Sequence, residues 1–182
     1  MRLFIGIEFP EDILDKLGQT QDYLRRYVSS GRFTAKHNMH LTLQFLGEVA
    51  EDKVGDICRC LQQVAKEHSP LRLALGALGC FGQNNPYRVV WVGLGGDLTA
   101  LNRLQRAIVL GMKDLGFIPE NRPYKPHITL ARDVWFTDAQ AYQQALRLTA
   151  GGTSFSVKSF SLISSAVEEK KRVYRSLATF EL

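Results

Sequence analysis

The sequence lacks the features that mark secreted, membrane-embedded or low-complexity proteins. It has three cysteines in 182 residues, and a small odd number argues against a disulfide framework. Charged residues interrupt each apolar run well short of the roughly eighteen residues that a membrane-spanning helix needs. No linker rich in Pro, Gly or Ser divides the chain. The first residues predict a strand and not a signal peptide. We therefore expect a cytoplasmic protein that does not associate with membranes.

Composition indicates one compact globular unit with a basic surface. The hydrophobic content is 45% and the formal net charge is +5, with a sequence pI of about 9.2. Such a charge favours a polyanionic partner without specifying it. Basic residues also gather near two histidine-containing motifs and near the end of the sequence, namely Arg25, Arg26, Arg32, Lys36, Arg122, Lys125, Arg132, Lys170, Lys171, Arg172 and Arg175.

The two motifs have the same form and stand 127 − 40 = 87 residues apart: His40-Leu41-Thr42-Leu43 and His127-Ile128-Thr129-Leu130. Both lie in runs that predict strands, in which side chains alternate between faces. Each histidine should therefore share a face with the threonine two residues later. Strict alternation also predicts that Phe45 faces the buried side and that Arg132 shares the Ile128 side. Two such polar faces turned toward each other would surround one ligand.

The same offset of 87 relates other parts of the chain. Phe4-Ile5-Gly6-Ile7 maps onto Trp91-Val92-Gly93-Leu94, and the helical patterns that follow also correspond. This predicts an α+β fold in one domain of residues 1–182, built from two repeats of approximately 1–86 and 87–182. We expect two antiparallel sheets flanked by helices, with pseudo-twofold symmetry and a central cleft between two lobes.

Apolar periodicity and capping signals place four helices between seven strands. The helices begin near Pro10, Glu51 and Asp97, and at a capping-box pattern that opens at Thr137. The first helix is predicted to end near Val28. The predicted strands cover residues 2–8, 40–46, 71–79, 88–94, 127–132, 155–164 and 172–180.

Other catalytic arrangements fit the sequence poorly. Two histidines with threonine neighbours are too few ligands for zinc, so we expect no metal and no other cofactor. No Gly-x-Ser-x-Gly elbow indicates a nucleophile. Gly93–Asp97 lacks the third glycine of a dinucleotide loop. General acid–base catalysis by His40 and His127 remains, since imidazole titrates near neutral pH.

The chain resembles the two-histidine phosphoesterases, and among them the LigT-like RNA 2′,3′-cyclic phosphodiesterases, also called 2′-5′ RNA ligases. The resemblance covers essentially the whole chain. It rests on residues 2–7 (RLFIGI), 38–48 (NMHLTLQFLGE) and 121–132 (NRPYKPHITLAR), and on an acidic-basic turn at 168–172 that leads into Val173-Tyr174.

This resemblance implies a bilobal fold and a metal-independent reaction that opens an RNA 2′,3′-cyclic phosphate to a 2′-phosphomonoester. It implies that His40 is the proton donor and His127 the proton acceptor. Thr42 and Thr129 would bind the phosphate, with Arg132 ranked below them because of its predicted face. Some family members also run the reaction backward and form a 2′-5′ linkage.

Two alternatives stay open at this stage. The same chemistry could act on a nucleotide or metabolite that carries a cyclic phosphate, or the cleft could bind RNA without turnover. Two intact acid–base motifs argue against the second, because binding alone needs no proton transfer. The expected partner is RNA with a 2′,3′-cyclic phosphate terminus or a related nucleotide, and the protein is expected to be a monomer.

Overall fold

The computed structural model describes residues 1–169 and 171–182. It contains four α-helices among these residues: α1 Glu11–Arg25, α2 Val54–Lys66, α3 Leu98–Asp114 and α4 Ala139–Ala145. The strands are β1 Arg2–Glu8, β2 Val28–Phe33, β3 His40–Glu48, β4 Leu71–Phe81, β5 Tyr87–Gly96, β6 His127–Phe136, β7 Ser154–Val157, β8 Ser159–Glu168 and β9 Lys171–Glu181.

The strands form one nine-stranded sheet whose pairings are antiparallel. The strand order in the sheet is β7-β4-β5-β6-β3-β1-β8-β9, and β2 pairs with the C-terminal part of β6. The two motif strands, β3 and β6, meet at the centre of the sheet through the single pair Leu41 and Ile128. The predicted α+β class with antiparallel strands is confirmed, and the two expected sheets are two halves of one sheet that join at this pair.

The halves of the sheet exchange strands between the two sequence repeats. β4 of the first repeat pairs with β5 of the second, and β8 of the second repeat pairs with β1 of the first. The order is therefore symmetric about the β3–β6 junction, with β1 matched to β5 and β4 to β8. Each half depends on hydrogen bonds that cross the boundary between the repeats.

Several element boundaries differ from the sequence-based ones. The first helix ends at Arg25, because residues 28–33 form β2, a strand that the sequence did not predict. The prediction of a capping box that opens at Thr137 is wrong. The side chain of Asp138 is the N-cap of α4 and accepts from the Ala141 N–H at 2.7 Å. A carboxylate one residue later competes successfully for the free amides.

The helices cover one face of the sheet and bury its aliphatic side. The buried residues of α1 include Ile13, Leu17 and Leu24, all at 1% exposure or less. On the motif strands, Leu41 and Ile128 face the same core at 1% and 0%. This leaves the opposite face of β3 and β6, which carries the histidines, free of covering helices. No helix of the described residues has the length and apolarity to cross a membrane.

Candidate active site

His40 and His127 are held by the same local hydrogen bond. The Nδ1–H of His40 donates to the carbonyl of Asn38 at 2.8 Å, and the Nδ1–H of His127 donates to the carbonyl of Lys125 at 2.7 Å. The acceptors stand 125 − 38 = 87 residues apart, so the repeat extends to this bond. A carbonyl only accepts, which places the proton on Nδ1 in the neutral ring. Each Nε2 therefore carries the lone pair.

The β3–β6 junction brings the four motif side chains onto one face. Because the strands are antiparallel, the pairing of Leu41 with Ile128 places His40 across from Thr129. Thr42 lies likewise across from His127. The two histidines are thus diagonal neighbours, which lie roughly 7–8 Å apart in a sheet. The Thr42 hydroxyl donates to the lone pair of His40 Nε2 at 3.1 Å.

A β-bulge follows the threonine in each motif strand and resets the alternation of faces. In β3, Leu43 and Gln44 together oppose Ile5 of β1, and in β6 an extra residue, Leu130, enters between the partners of Val90 and Trp91. Both residues of each bulge are buried. The next residue in each strand, Phe45 or Arg132, is exposed.

The prediction that Phe45 faces the buried side is therefore wrong, because the Phe45 side chain is 50% exposed. The expected placement of Arg132 on the Ile128 side is wrong for the same reason. A bulge adds one residue, so everything after it moves to the other face. Arg132 consequently shares a face with His127 and Thr129.

Each bulge frees a carbonyl, and a glutamine from a helix of the other repeat satisfies it. The Gln21 side-chain amide of α1 donates to the carbonyls of Leu130 at 2.9 Å and Thr34 at 2.8 Å. The Gln105 amide of α3 donates to the carbonyl of Leu43 at 3.4 Å. Leu43 and Leu130 are again 130 − 43 = 87 residues apart. The helices thus fix the bulges that direct Phe45 and Arg132.

Aromatic rings enclose both imidazoles. His40 lies 4.6 Å from the ring of Phe4 and 5.1 Å from that of Tyr174. Around His127, the ring of Phe81 is at 4.9 Å and that of Trp91 at 6.2 Å. The equivalence of Phe4 and Trp91 is visible in the repeat, whereas no sequence signal marks Phe81, and Tyr174 entered only through the resemblance.

Glycines leave room for these rings beside the histidines. A Cβ on Gly6 would lie 3.4 Å from the Phe4 ring and 3.6 Å from the His40 ring. A Cβ on Gly93 would lie 3.3 Å from the indole of Trp91. The matched glycines of the two repeats therefore allow each aromatic ring to lean along its strand toward a histidine.

Burial and positive charge favour the neutral form of both histidines. Burial is the main cause that lowers the pKa of His40, and the charges of Arg132 and His127 lower it further. Burial likewise lowers the pKa of His127, with Arg132 and Lys125 adding to the effect. The carbonyls that accept from Nδ1 oppose these shifts. Arg132 thus acts electrostatically on both imidazoles.

Comparison with known proteins identifies the family of this chain. Residues 14–169 match the model of the 2′-5′ RNA ligase superfamily. The chain belongs to this superfamily. A protein named RNA 2′,3′-cyclic phosphodiesterase from Aeropyrum pernix is 33% identical over 169 residues, which are 91% of this chain and 94% of that one.

Two further proteins of the superfamily extend the comparison. A Geobacillus stearothermophilus protein named RNA 2′,3′-cyclic phosphodiesterase is 37% identical over 148 residues, 81% of this chain, and the match spans 46% of that relative. The structure of E. coli LigT complexed with 3′-AMP has a TM-score of 0.80 at 26% identity, covering 100% of this chain and 96% of LigT. These similarities identify this member of the superfamily as an enzyme.

Five of the eleven basic residues singled out in the sequence pair with carboxylates in the described part of this superfamily member. Arg32 pairs with Asp133, and Lys36 bonds Glu11 and Asp15. Other such pairs are Arg25 with Asp22, Arg122 with Glu120, and Arg175 with Glu168. Lys170 lies outside the described residues.

Among the described residues, Lys125 and Arg132 are basic side chains whose charge lowers the pKa of a motif histidine. Lys125 Nζ lies 4.6 Å from the centre of the Trp91 ring and 5.5 Å from that of Phe81. In residues 1–169 and 171–182, no three His, Cys, Asp or Glu side chains are grouped closely enough to hold a metal ion.

Proposed function

We propose that this protein hydrolyses RNA 2′,3′-cyclic phosphate ends to 2′-phosphomonoesters by general acid–base catalysis without a metal ion. The observation that carries the proposal is the pair of histidines built alike on adjacent strands. Each has Nδ1 tied to a backbone carbonyl, and each has Nε2 and a threonine hydroxyl on the common face. One ring can give a proton while the other accepts one.

The reaction follows from one phosphate held between the two rings. His127 Nε2 takes a proton from water as the water oxygen forms a bond to phosphorus. The bond from phosphorus to the ribose 3′ oxygen breaks, and His40 Nε2–H protonates that oxygen. The product carries a 2′-phosphate and a free 3′-hydroxyl. Water supplies the new phosphate oxygen and gives a proton to His127, and His40 supplies the proton of the 3′-hydroxyl.

Thr42, Thr129 and Arg132 are suited to hold the phosphate oxygens. Hydroxyl and guanidinium groups donate to non-bridging oxygens and stabilise the charge that builds up on them. The names of the relatives and the 3′-AMP found in E. coli LigT support a nucleotide phosphate as the ligand. All four motif residues come from one chain, so a monomer suffices, which size-exclusion chromatography at assay concentration would check.

The test uses a short RNA with a 2′,3′-cyclic phosphate and analysis of the product phosphate. His40→Ala and His127→Ala should each lower kcat/KM by at least ~10²-fold, the usual contribution of a positioned acid or base. Thr42→Ala and Thr129→Ala should lower it less. The control is His68→Ala, since the His68 ring bonds the Val64 carbonyl of α2. Near-normal turnover in either motif-histidine variant would refute the mechanism.

The assignment of the two roles needs a different substrate. An analogue with sulfur in place of the 3′ oxygen leaves as a thiolate, whose conjugate acid is far stronger than an alcohol. The deficit of His40→Ala should shrink on this analogue, whereas that of His127→Ala should persist. The opposite pattern would reverse the roles.

Four further assays test the metal-free proposal, the two alternatives and the ligation reaction. Turnover should survive EDTA. A loss of activity in EDTA that is restored by added metal would contradict the metal-free proposal.

Comparison of RNA with a 2′,3′-cyclic mononucleotide tests a nucleotide substrate, and binding of RNA without any product would indicate a binding module. With a 2′,3′-cyclic end and a second RNA bearing a 5′-hydroxyl, the same displacement should yield a 2′-5′ linkage, because that hydroxyl replaces water and the bond from phosphorus to the 3′ oxygen breaks.

A further inference from the structure

The two motif histidines have charged neighbours of opposite sign, although the strands that carry them are repeats of one another. In the β1–β3 pair, the residue directly opposite His40 is Glu8. In the β5–β6 pair, the residue directly opposite His127 is Gly93. The residue 87 positions after Glu8 is also a glycine, Gly95. The first repeat therefore places a carboxylate beside its histidine, and glycines stand at both matching positions of the second.

Glu8 shares the face of the sheet on which the His40 ring lies. Directly opposed residues of antiparallel strands point to the same side, with Cβ atoms about 4.5–5.5 Å apart. Both side chains line one cavity of about 130 Å³, together with His37 and Tyr174. The Ser176 hydroxyl of β9 donates to the Glu8 carboxylate at 2.6 Å and restrains it. This negative charge raises the pKa of His40, against the effect of burial.

Lys125 brings a positive charge to the other histidine. Its Nζ lies over the rings of Trp91 and Phe81, which also flank the ring of His127. The face of an aromatic ring attracts a cation. The ammonium is therefore held beside His127, and its charge lowers the pKa of that ring. The equivalent residue of the first repeat is Asn38, whose neutral side-chain amide donates to a carbonyl of β9 at 2.8 Å.

The other charged groups that act on the rings do not separate the two histidines in this way. Arg132 lowers the pKa of both rings. Glu120 raises the pKa of His127, but its carboxylate is paired with an arginine of the same loop at 3.0 Å. A charged His127 lowers the pKa of His40, which favours a single proton on the two rings together. The remaining question is which ring holds that proton.

We propose that Glu8 and Lys125 are positioning residues that set the direction of proton transfer. Glu8 keeps the proton on His40, and Lys125 keeps His127 free to accept one. The proposal rests on the proposed function, in which His40 gives a proton to the 3′ oxygen and His127 takes one from water. After each turnover His127 holds a proton and His40 has lost one. The same two charges favour return of the proton to His40 through solvent, which prepares the site for the next substrate.

Titration of the histidine rings by NMR in the free protein tests the two charges without turnover. In Glu8→Gln the midpoint of His40 should move to lower pH, with a smaller change at His127. In Lys125→Met the midpoint of His127 should move to higher pH, with a smaller change at His40. Spectra of His40→Ala and His127→Ala assign the two signals.

The pH profile of kcat/KM then shows which role each ring has. Above both midpoints the rate follows the fraction of protonated acid, so Glu8→Gln should lower it about two- to tenfold on the alkaline limb alone. Below both midpoints the rate follows the fraction of unprotonated base. Lys125→Met should therefore lower it by a similar factor on the acid limb alone. Glu8→Asp and Lys125→Arg keep the charges and should stay close to the wild-type profile. Because both side chains are exposed, about 0.5 M NaCl should reduce both effects.

The matched controls are Glu67→Gln and Lys113→Met, at exposed positions near the C-terminal ends of α2 and α3, and they should change neither the midpoints nor the limbs. Unmoved midpoints in Glu8→Gln or Lys125→Met would overturn the positioning roles, whatever the activity. A loss of rate that is equal at every pH would also overturn them, since it would indicate a structural role or a direct contact with substrate. A gain on the acid limb in Glu8→Gln would show that His40 is the base. Failure of the wild-type protein to hydrolyse the cyclic phosphate would instead refute the proposed function.

Discussion

A single backbone carbonyl decides which nitrogen of each motif histidine is available for chemistry. With Nδ1–H donating to Asn38 or Lys125, the lone pair of the neutral ring lies on Nε2. Burial then lowers the pKa of both rings below the ordinary 6.5, and the charge of Arg132 adds to this shift. In the free site both imidazoles therefore favour the neutral form. A bound anionic substrate favours the protonated form and so opposes these pKa shifts.

The pH dependence of kcat/KM should reflect these shifts. The acid must be protonated, so activity falls as pH rises through its lowered pKa. The base must be neutral, so activity falls as pH drops through its own lowered pKa. The dependence of kcat/KM on pH should therefore be a bell-shaped curve that lies at lower pH than the curve of two histidines with the ordinary pKa of 6.5. The two limbs of this curve report apparent pKa values of the coupled pair and not of either histidine alone.

A bound phosphate anion raises both pKa values, which should move the kcat profile to higher pH. Initial rates across pH 4–9 on the wild-type protein would check both statements, and a kcat/KM optimum well above pH 7 would contradict them.

Arg132→Met tests the cation that acts on both rings. Removing the charge should lower kcat/KM by about tenfold or more, as loss of a charge-assisted contact of ~1.5–3 kcal/mol implies. The same change should shift both limbs of the pH profile upward, because a cause that lowers each pKa is gone. Arg103→Met, at an exposed position of α3, is the control. A lower rate with an unmoved profile would mean that Arg132 contacts substrate without tuning the histidines.

At the scale of elements, the bulges in β3 and β6 are the features that make two ordinary strands into a site. Each bulge interrupts the hydrogen-bond ladder and leaves one backbone carbonyl without a strand partner. A glutamine side chain from a helix donates a hydrogen bond to that carbonyl. A buried carbonyl without a donor is costly. The helices therefore fix the geometry of the site from the opposite face of the sheet.

Gln21→Leu should destabilise the protein by about 1–3 kcal/mol, because the buried carbonyl of Leu130 loses a donor. It should also lower kcat/KM by disturbing the bulge that directs Arg132. Gln105→Leu should cost less, since its one bond is 3.4 Å long whereas Gln21 makes two shorter ones. Urea denaturation and the cyclic-phosphate assay measure the two effects. Gln63→Leu on the exposed face of α2 should change neither, and a stable but inactive Gln21→Leu would show that the bond matters for geometry alone.

At the scale of the whole molecule, the exchange of β4 and β8 makes the two repeats interdependent. The last strand of the first repeat completes the half-sheet of the second, and the reverse also holds. The junction of the halves is a pair of fully buried aliphatic residues, Leu41 and Ile128. The site therefore exists only when both repeats are folded together.

This arrangement predicts one cooperative unfolding transition for residues 1–182. Both tryptophans belong to the second repeat, so their fluorescence and the far-UV circular dichroism of the whole chain should give the same urea midpoint. Fragments 1–86 and 87–182 should not fold alone, since the first lacks β8 and β9 and the second lacks β2 and β4 of its half-sheet. Ile128→Ala at the junction should cost about 2–5 kcal/mol. Two separated transitions would show that the halves are independent domains.

The sequence by itself determined the repeat, the antiparallel α+β class and the two motifs, since alternation and a constant offset are properties of local order along the chain. It also matched Phe4 with Trp91 as repeat partners. It could not place Phe45 or Arg132, because a bulge is decided by how β1 and β5 pair with the motif strands, and one extra residue reverses every face after it. It could not reveal the exchanged strands or the ion pairs that join Arg32 to Asp133 and Lys36 to Glu11 and Asp15. These depend on contacts between residues far apart in the chain, which only the packed sheet and its helices bring together.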